Sequence, residues 1–322
     1  MSVLQYGRKL SLIAGTSGGA ALDFSEFRVQ FSVRRGDFQT PNTLDARIYN
    51  LADSTAQRIT KEFTRVVLQA GYPGNFGLIF DGTIKQARTG RESQTDNYVD
   101  ITAADGDEAY NFSTLALSLA AGAKPEDSVQ GFLQVMATAG ISKGYQPEFS
   151  SSGAVRGRVH YGLARDELRD FCENNNCSWS IQDGKLTFVP LTSYIPGEIP
   201  VLSAATGLIG VPEQTSNGIK MRILLNPAIK IGQRVKLDNA TINKLRFGVD
   251  VQSQASNEVL AKYVKTNADG LYYVMTADHY GDTRGEAWYS DLTCLAVDST
   301  VAPSAASKGA IAPESVAIKK AG

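Results

Sequence analysis

The sequence predicts a mainly β protein with two β-barrel domains and an α+β insert of helices and a hairpin between them. Three observations lead to this prediction. The chain has 322 residues, a length at which about two domains are expected. Apolar and polar residues alternate in many short runs, as in Phe27–Val33, and this period of two is typical of strands with one buried face. Helical spacing is confined to a few short segments.

Composition places the chain among ordinary globular proteins. The hydrophobic fraction is 43% and the charged fraction 20%, which excludes a wholly disordered or fibrous chain. The formal net charge of −1 gives no bulk electrostatic reason for binding nucleic acid or an anionic membrane. No run of about 18 apolar residues occurs, and the N-terminus lacks the pattern of a signal peptide. We therefore expect no membrane insertion.

The first β-barrel domain is predicted over residues 1–104. A helix over Thr55–Phe63 has apolar residues at helical spacing, with Asp53 or Ser54 as its cap. Gly71 begins a GYPGN turn, because glycine and proline supply the dihedral angles of a chain reversal. The polar segment 90–96 is predicted to be an exposed hairpin tip. The predicted strands are Leu4–Ile13, Phe24–Val33, Leu44–Asn50, Val66–Ala70, Leu78–Gln86 and Tyr98–Ala104.

The α+β region is predicted over residues 105–198. The alternating leucines within 105–122 favour a strand, although helical spacing also fits, and this segment could instead belong to the second barrel. A helix begins at Pro125 and stops at Gly140, because proline suits the first helical position and glycine suits the end. A strand over Val155–Tyr161 and a helix over Leu163–Glu173 follow.

The clearest local signal is the run CSWSIQ-DG-KLTFVP at 177–190. Two alternating segments flank Asp183 and Gly184, and a type I′ turn requires positive φ at both central residues, which Asp-Gly tolerates well. The sequence therefore predicts a β-hairpin with Gly184 in its turn.

The second β-barrel domain is predicted over residues 199–298, followed by a flexible C-terminal tail over 299–322. The tail has no aromatic residue and much Ala, Ser and Pro, so it cannot bury enough surface to order itself. The two β-rich regions have similar length and strand density, but we find no residue-level repeat between them. The predicted strands are Ile199–Leu202, Ile219–Leu224, Arg234–Leu237, Gly248–Ser253, Leu271–Asp278 and Trp288–Val297, with Val259–Val264 as a strand or loop.

No pattern in the sequence indicates a catalytic, metal or cofactor site. His160 and His279 lie far apart and beside no acidic cluster, and no G-x-S-x-G motif occurs. The three cysteines, Cys172, Cys177 and Cys294, are odd in number and form no C-x-x-C pair, so we expect buried thiols rather than disulfides or zinc ligands. We therefore predict no enzyme activity, no cofactor and no bound metal.

Charged segments are predicted to be solvent-exposed. The acidic run 104–110 lacks the spacing of a calcium loop, so a solvated turn is the favoured interpretation. The basic residues within 32–37 and 89–92 are interpreted as solvated loops or protein contacts rather than nucleic-acid contacts. Trp179 and Trp288 stand in alternating strands and are expected in the core.

Three ordered stretches carry a family resemblance. They are RIYNLADSTAQRI (47–59) with LQAGYPGNFGLIFDGTI (68–84), then HYGLARDELRDFCENNNCSWSIQDGKLTFVP (160–190), then ATGLIGVPEQTSNGIKMRILLNPAIKIGQRVKL (205–237) with GDTRGEAWYSDLTC (281–294). In order and spacing they resemble the baseplate hub (tail hub) proteins of contractile-tailed bacteriophages. That family includes the Mu-like hub and late-control protein D, and relatives form the upper part of the type VI secretion spike. The resemblance covers most of residues 1–298.

The resemblance implies a homotrimeric structural protein of the virion, located in the tail baseplate and assembled in the host cytoplasm. Two tail-tube-like β-barrel domains per subunit would present six similar modules to a sixfold tail tube or tube-initiator protein, while the other face meets a threefold central spike protein. DNA would pass through the lumen without specific binding. Members have no catalytic residues in this region.

The resemblance also implies structural roles for particular turns. Gly207, Gly210 and Pro212 would shape the entry into the second barrel, Asn226 and Pro227 would form an LLNP turn, and Gly281 would lie in a hairpin loop with Asp282. An ordinary turn is an equally good interpretation of each. Two other functions stay open: a carbohydrate-binding or adhesion module of a tail tip, which requires an exposed aromatic platform, and a tail-tip hydrolase, which the motifs favour least.

Overall fold

The computed structural model describes residues 6–16, 19–149, 153–191, 193–215, 218–237, 246–247 and 270–295. The predicted strands at 248–253 and 259–264 and the predicted tail at 299–322 lie outside these ranges. The strands are β1 (Lys9–Gly15), β2 (Ala21–Asp23), β3 (Val29–Gly36), β4 (Thr43–Tyr49), β5 (Arg65–Tyr72), β6 (Asn75–Arg91), β7 (Asn97–Ala104), β8 (Thr114–Leu119), β9 (Ser142–Lys143), β10 (Arg158–Leu163), β11 (Cys177–Gln182), β12 (Lys185–Pro190), β13 (Val201–Leu202), β14 (Leu208–Thr215), β15 (Gly218–Leu224), β16 (Arg234–Leu237), β17 (Arg246–Phe247), β18 (Leu271–Asp282) and β19 (Trp288–Leu295). The helices are α1 (Asp53–Lys61), α2 (Asp107–Phe112), α3 (Pro125–Ala137) and α4 (Ala164–Asn175), with one 3₁₀ turn at Ala204–Thr206.

One large sheet runs through both β-rich regions. Its strand order is β17-β14-β15-β19-β18-β3-β4-β7-β6-β5-β1-β2, and β16 also pairs with β18 and with β13. The pairing of β18 with β3 is antiparallel and joins the two β-rich regions directly. The predicted mainly β fold with an α+β insert is confirmed.

The N-terminal β-rich region rolls around a single core because β6 belongs to two parts of the sheet. The first half of β6 pairs with β5 and its second half pairs with β7, with Thr83 shared between them. The roll encloses Leu12, Leu44 and Phe80, and α1 contributes Ile59. Among the described strands no pairing closes this roll into a barrel.

The α+β insert has its own core and its own two small sheets. β8 pairs with β10, while β12 lies between β11 and β9. Helices α3 and α4 pack Phe132 and Phe171 against the hairpin residues Trp179 and Phe188. The hairpin turn has φ of 53° at Asp183 and 70° at Gly184. The predicted type I′ turn is therefore confirmed.

Three local predictions are corrected. The N-cap of α1 is Ala52, with no side-chain cap hydrogen bond, rather than Asp53 or Ser54. The acidic run 104–110 is not a solvated turn, because α2 begins at Asp107 and Asp105 is buried. Strand β14 went unpredicted because Gly210 and Pro212 interrupt its alternation, and the structure accommodates them in a register shift between Ile209 and Glu213.

Candidate functional site

The two β-rich regions contain the same six-stranded module. In chain order the first module is β1, β3, β4, β5, β6, β7, and the second is β13, β14, β15, β16, β18, β19. Their neighbour orders in the sheet match strand for strand: β3-β4-β7-β6-β5-β1 and β14-β15-β19-β18-β16-β13. One pairing differs, since β1 meets β5 antiparallel whereas β13 meets β16 parallel.

The equivalence extends to single residues. Arg47 of β4 pairs across the sheet with Asp100 of β7, and Arg222 of β15 pairs with Asp291 of β19. Each guanidinium binds its carboxylate with two hydrogen bonds, at 2.7 and 3.0 Å in the first module and 2.7 and 2.9 Å in the second. Such paired contacts hold both side chains in one geometry.

A tyrosine lies beside each of these ion pairs. Tyr98 and Tyr289 each stand two residues before the aspartate on the same strand. The guanidinium carbon lies 3.8 Å from the Tyr98 ring centre in the first module and 4.1 Å from the Tyr289 ring centre in the second. We refer to each set of arginine, aspartate and tyrosine as an Arg–Asp–Tyr cluster. Both clusters are partly exposed on the sheet.

The two modules thus share a short sequence repeat, contrary to the expectation that no residue-level repeat exists. Once β7 and β19 are aligned on their aspartates, YVDIT (98–102) matches YSDLT (289–293). A register shift also occurs at the same place in both modules, between Ile84 and Gln86 in β6 and between Val274 and Thr276 in β18. The repeat is too short and too widely spaced to be recognised without strand registers.

Several sequence-predicted turn residues lie where the modules meet. Gly71 has φ of +152°, and a Cβ there would lie 2.1 Å from the Asn75 carbonyl oxygen, so only glycine fits this hairpin. Asn75 Nδ2 donates to Asn226 Oδ1 at 3.0 Å. The neighbouring Leu225 is buried in the first module's core. The structure therefore brings the GYPGN and LLNP turns together.

The other predicted turn residues are separate from that contact. Gly207 follows the 3₁₀ turn with φ of +99°, and Gly210 has φ of +74° within the irregular part of β14 that also holds Pro212. Gly281 is not in a hairpin loop: it lies in β18 opposite Phe31 of β3, and a Cβ there would lie 2.3 Å from the Phe31 ring. The loop follows Asp282 instead.

A buried polar junction connects the two modules with the α+β insert. Arg35 of β3 binds Asp183 of the hairpin turn at 3.0 Å and donates to the Ile79 carbonyl at 3.1 Å. Lys230 of the second module lies 3.6 Å from the other oxygen of Asp183. Burial alone would raise the pKa of Asp183, but Arg35 and Lys230 outweigh it and hold the pKa below its usual value. The carboxylate therefore stays charged between its two partners.

Two more carboxyls of this junction are buried and form no ion pair with any described residue. Asp105 accepts the Gly184 N–H at 2.9 Å, and burial raises its pKa to about 7. Asp37 accepts hydrogen bonds from Ser178 and Tyr273, yet burial still raises its pKa. The sequence indicates a solvated loop or a protein contact at 32–37, and the solvated loop is wrong for Arg35 and Asp37, which are both buried.

His160 lies between a serine and a single glutamate rather than beside an acidic cluster. Its Nδ1 is 2.8 Å from Glu167 Oε2, and its Nε2 is 3.1 Å from Ser128 Oγ. This order of groups is that of a serine-hydrolase triad. However, Ser128 is 1% exposed, and a nucleophile must meet its substrate. The three side chains therefore tie β10 to α3 and α4.

The described part of the chain holds neither a group of metal-ligating side chains nor a membrane-spanning helix. Within the described residues no three His, Cys, Asp or Glu side chains are grouped as metal ligands, and the three cysteines are buried free thiols. None of the described helices combines the length and apolar character that crossing a bilayer requires.

The fold is that of phage tail proteins. No protein-family model and no curated protein matches the sequence. The structure is similar to the 43 kDa tail protein of prophage MuSo2 from Shewanella oneidensis (TM-score 0.57, 7% identity, 92% of this chain and 99% of that one). It is also similar to a tail protein of Neisseria meningitidis MC58 (TM-score 0.55, 10% identity, 90% and 96%).

A third similar structure comes from the type VI secretion system. It is the E. coli c3393 protein, a component of that system that resembles the T4 tail proteins gp27 and gp5 (TM-score 0.52, 10% identity, 92% of this chain and 78% of that one). At these identities the likeness establishes the fold alone. The resemblance predicted from the sequence is confirmed at that level.

Proposed function

We propose that this chain is a structural baseplate hub of a contractile phage tail, acting as a homotrimer without enzyme activity. The observation that carries the proposal is the repeated module with its matched Arg–Asp–Tyr clusters and register shifts. A ring of sixfold symmetry can meet a trimer with equivalent contacts only if each subunit offers two similar surfaces. The fold of phage tail proteins agrees with this role.

The proposal assigns the modules to the predicted domains. The first tail-tube-like domain spans 1–104, the α+β region 105–198 and the second tail-tube-like domain 199–298. The two domains of three chains would alternate around the axis and contact a tail tube or tube-initiator protein. A threefold spike would bind the opposite face, and DNA would pass through the central channel.

The adhesion alternative finds little support among the aromatic residues that the structure describes. Trp179 and Trp288 are both buried, and a sugar-binding surface needs aromatic rings that face solvent. Among the described residues the exposed aromatic side chains are Tyr6, Phe27, Phe38, Phe112 and Tyr161, and none of them belongs to the Arg–Asp–Tyr clusters that the two modules share. We therefore place the adhesion function second.

Native mass spectrometry of the purified full chain tests the proposal. We expect a mass of three subunits, and negative-stain images should show a ring with a central opening and six similar lobes. A monomer that binds glycans would support the adhesion module and contradict the hub. Turnover of peptidoglycan or casein that disappears in a Ser128→Ala variant would contradict the absence of enzyme activity.

A further inference from the structure

The small sheet β8–β10 of the α+β insert has one strand edge without a neighbour in the described part of the chain. β10 is the only described strand that pairs with β8. The Ala164 N–H donates to the Ser113 carbonyl at 2.9 Å, so the backbone groups of Ser113 and of every second residue after it point toward β10. The N–H and C=O groups of Thr114, Ala116 and Ser118 therefore point away from β10, along the free edge.

This edge forms one wall of an open groove of about 540 Å³, with α3 as the opposite wall and α2 at one end. Leu115, Leu117 and Val135 supply apolar surface, and Phe112 at the end of α2 is 75% exposed. The volume is within the range of ligand sites. An unpaired strand edge beside apolar surface is the geometry that accepts an extended peptide as an added strand.

Glu108 gives the groove its charge. It is the only charged residue among the described lining residues, and its side chain is exposed. It belongs to α2, which leads directly into the start of β8, so the groove has its negative end there. An exposed ion pair contributes little affinity, but a single carboxylate at one end sets the direction in which a peptide with a cationic end binds.

The segment VAIKK (316–320) of the predicted tail has the chemistry that the groove requires. Val316 and Ile318 alternate with a small residue, as in a strand with one apolar face, and two lysines follow. Within residues 299–322 this is the one place where two large apolar residues alternate directly. The composition of the tail gives it no core of its own, so these two side chains lose their exposure to water only by docking on another surface.

The chain is long enough to bring this segment to the groove. Leu295 at the end of β19 packs against Val189 of the hairpin strand β12, so β19 ends beside the α+β insert. The twenty residues 296–315 span up to about 65 Å when extended. A globular unit of about a hundred residues is roughly 35 Å across. The groove is therefore within reach without any change in the fold.

We propose that residues 316–320 dock in this groove as a third strand of the small sheet, antiparallel to β8 of the same chain. Charge sets the direction, because only an antiparallel strand brings Lys319 and Lys320 to the end where Glu108 lies. The docking is within one chain, so it is the same in a monomer and in a trimer and goes beyond the proposed hub.

The faces of β8 set the register. Leu115 and Leu117 line the groove, so the two apolar residues of the segment lie opposite them, with Ile318 facing Leu115 and Val316 facing Leu117. The outward backbone groups of β8 then gain hydrogen-bond partners, and the alternate side chains give the contact its specificity.

Paired cysteines test the register in the full-length protein. Ala317 would lie directly opposite Ala116, so an Ala116→Cys/Ala317→Cys variant should form an intrachain disulfide under mild oxidation. The native cysteines are buried and should stay silent. The matched control, Ala116→Cys/Ala312→Cys, moves the second thiol by five residues, about 17 Å along an extended strand, and should crosslink at least about tenfold more slowly.

Two outcomes of this experiment contradict the proposal. Equal crosslinking rates for the variant and its control would show that the segment samples the groove without docking. A disulfide between two chains would show that the groove accepts the segment of a neighbouring copy, and would overturn docking within the chain.

Hydrogen exchange at the strand edge provides a second measurement. The outward amides of Thr114, Ala116 and Ser118 should exchange at least about tenfold more slowly in wild type than in an Ile318→Asp variant, because the new charge removes an apolar anchor. Ile311→Asp changes an apolar residue of the same tail outside the docked segment and should leave these amides protected. Fast exchange in wild type, or slow exchange that Ile318→Asp leaves unchanged, would overturn the docking.

Discussion

At the scale of single residues, burial changes the ionisation of Asp105 in the acidic run 104–110. Asp105 is 3% exposed and its carboxylate oxygen accepts the Gly184 N–H. Burial is the main cause that raises the pKa of Asp105 to about 7, from an ordinary value of 3.8. The folded protein therefore holds a proton on this carboxyl at a pH where the unfolded chain has released it.

This difference in pKa predicts a pH-dependent effect of Asp105→Asn. Because the folded pKa is above the unfolded one, the stability that the protonated carboxyl contributes is complete below pH 3.8 and is lost as the pH rises through about 7. Asparagine keeps the acceptor oxygen and cannot ionise. The free energy of unfolding of the variant relative to wild type should rise by about 2–3 kcal/mol between pH 5 and pH 8.

Urea denaturation at the two pH values measures this change. A Glu108→Gln variant changes an exposed carboxyl of the same acidic run and serves as the control, with no comparable pH dependence. A constant difference between Asp105→Asn and wild type would show that Asp105 titrates normally.

At the scale of elements, the hairpin β11–β12 shows how a local signal and a tertiary contact coincide. Its turn residues have the positive φ angles of a type I′ turn, and the same two residues supply contacts to the rest of the molecule. Asp183 binds Arg35, and the Gly184 N–H donates to Asp105. The sequence predicted the type I′ turn, but it did not predict that the turn lies in the polar junction.

Gly184→Val should destabilise the protein through backbone strain alone. A Cβ at Gly184 would meet no atom within 4 Å, while φ is +70°. A β-branched residue strongly disfavours that conformation, so we expect a loss of roughly 1–3 kcal/mol in the free energy of unfolding. Gly184→Asn is the matched control, because asparagine tolerates positive φ, and it should lose clearly less. Equal melting temperatures for all three proteins would contradict the turn assignment.

At the scale of the whole molecule, the polar junction holds three hydrophobic cores in one arrangement. Arg35 comes from the first module, Asp183 from the α+β insert and Lys230 from the second module. The proposed hub, which would join rings of different symmetry, would need its modules fixed relative to one another. The junction supplies that rigidity through charges that are costly to separate in a buried environment.

Arg35→Ala should therefore destabilise the whole chain by roughly 3 kcal/mol, because it leaves the Asp183 carboxylate buried with Lys230 as its remaining cation. The neighbouring Arg34 is exposed on the same strand, so Arg34→Ala should change stability by less than about 0.5 kcal/mol. Guanidinium denaturation followed by tryptophan fluorescence compares the two variants. Similar losses for both would show that the junction contributes little.

Much of the architecture could be predicted from local patterns. The alternation in β3, the cap and stop signals of α3 and the Asp-Gly turn each reflect preferences of a few neighbouring residues. The contacts of the candidate site could be predicted less well from the sequence. The segment 32–37 is predicted to be a solvated loop or a protein contact, because the sequence shows the charges of Arg35 and Asp37 and not the partners that bury them. His160 and Glu167 are close because β10 leads directly into α4; the strand and the helix are both predicted, but the contact between these two side chains is not.

The sequence by itself determined the mainly β class, the helices around Phe132 and Phe171 and the type I′ hairpin, because backbone preference and hydrophobic period act over a few residues. The tertiary structure alone decided which strand edges meet. β3 and β18 are separated by more than two hundred residues, and nothing local in either strand specifies the other. The repeated module and its Arg–Asp–Tyr clusters became visible only through strand registers, because cross-strand pairs stabilise a sheet without leaving a continuous signal along the chain.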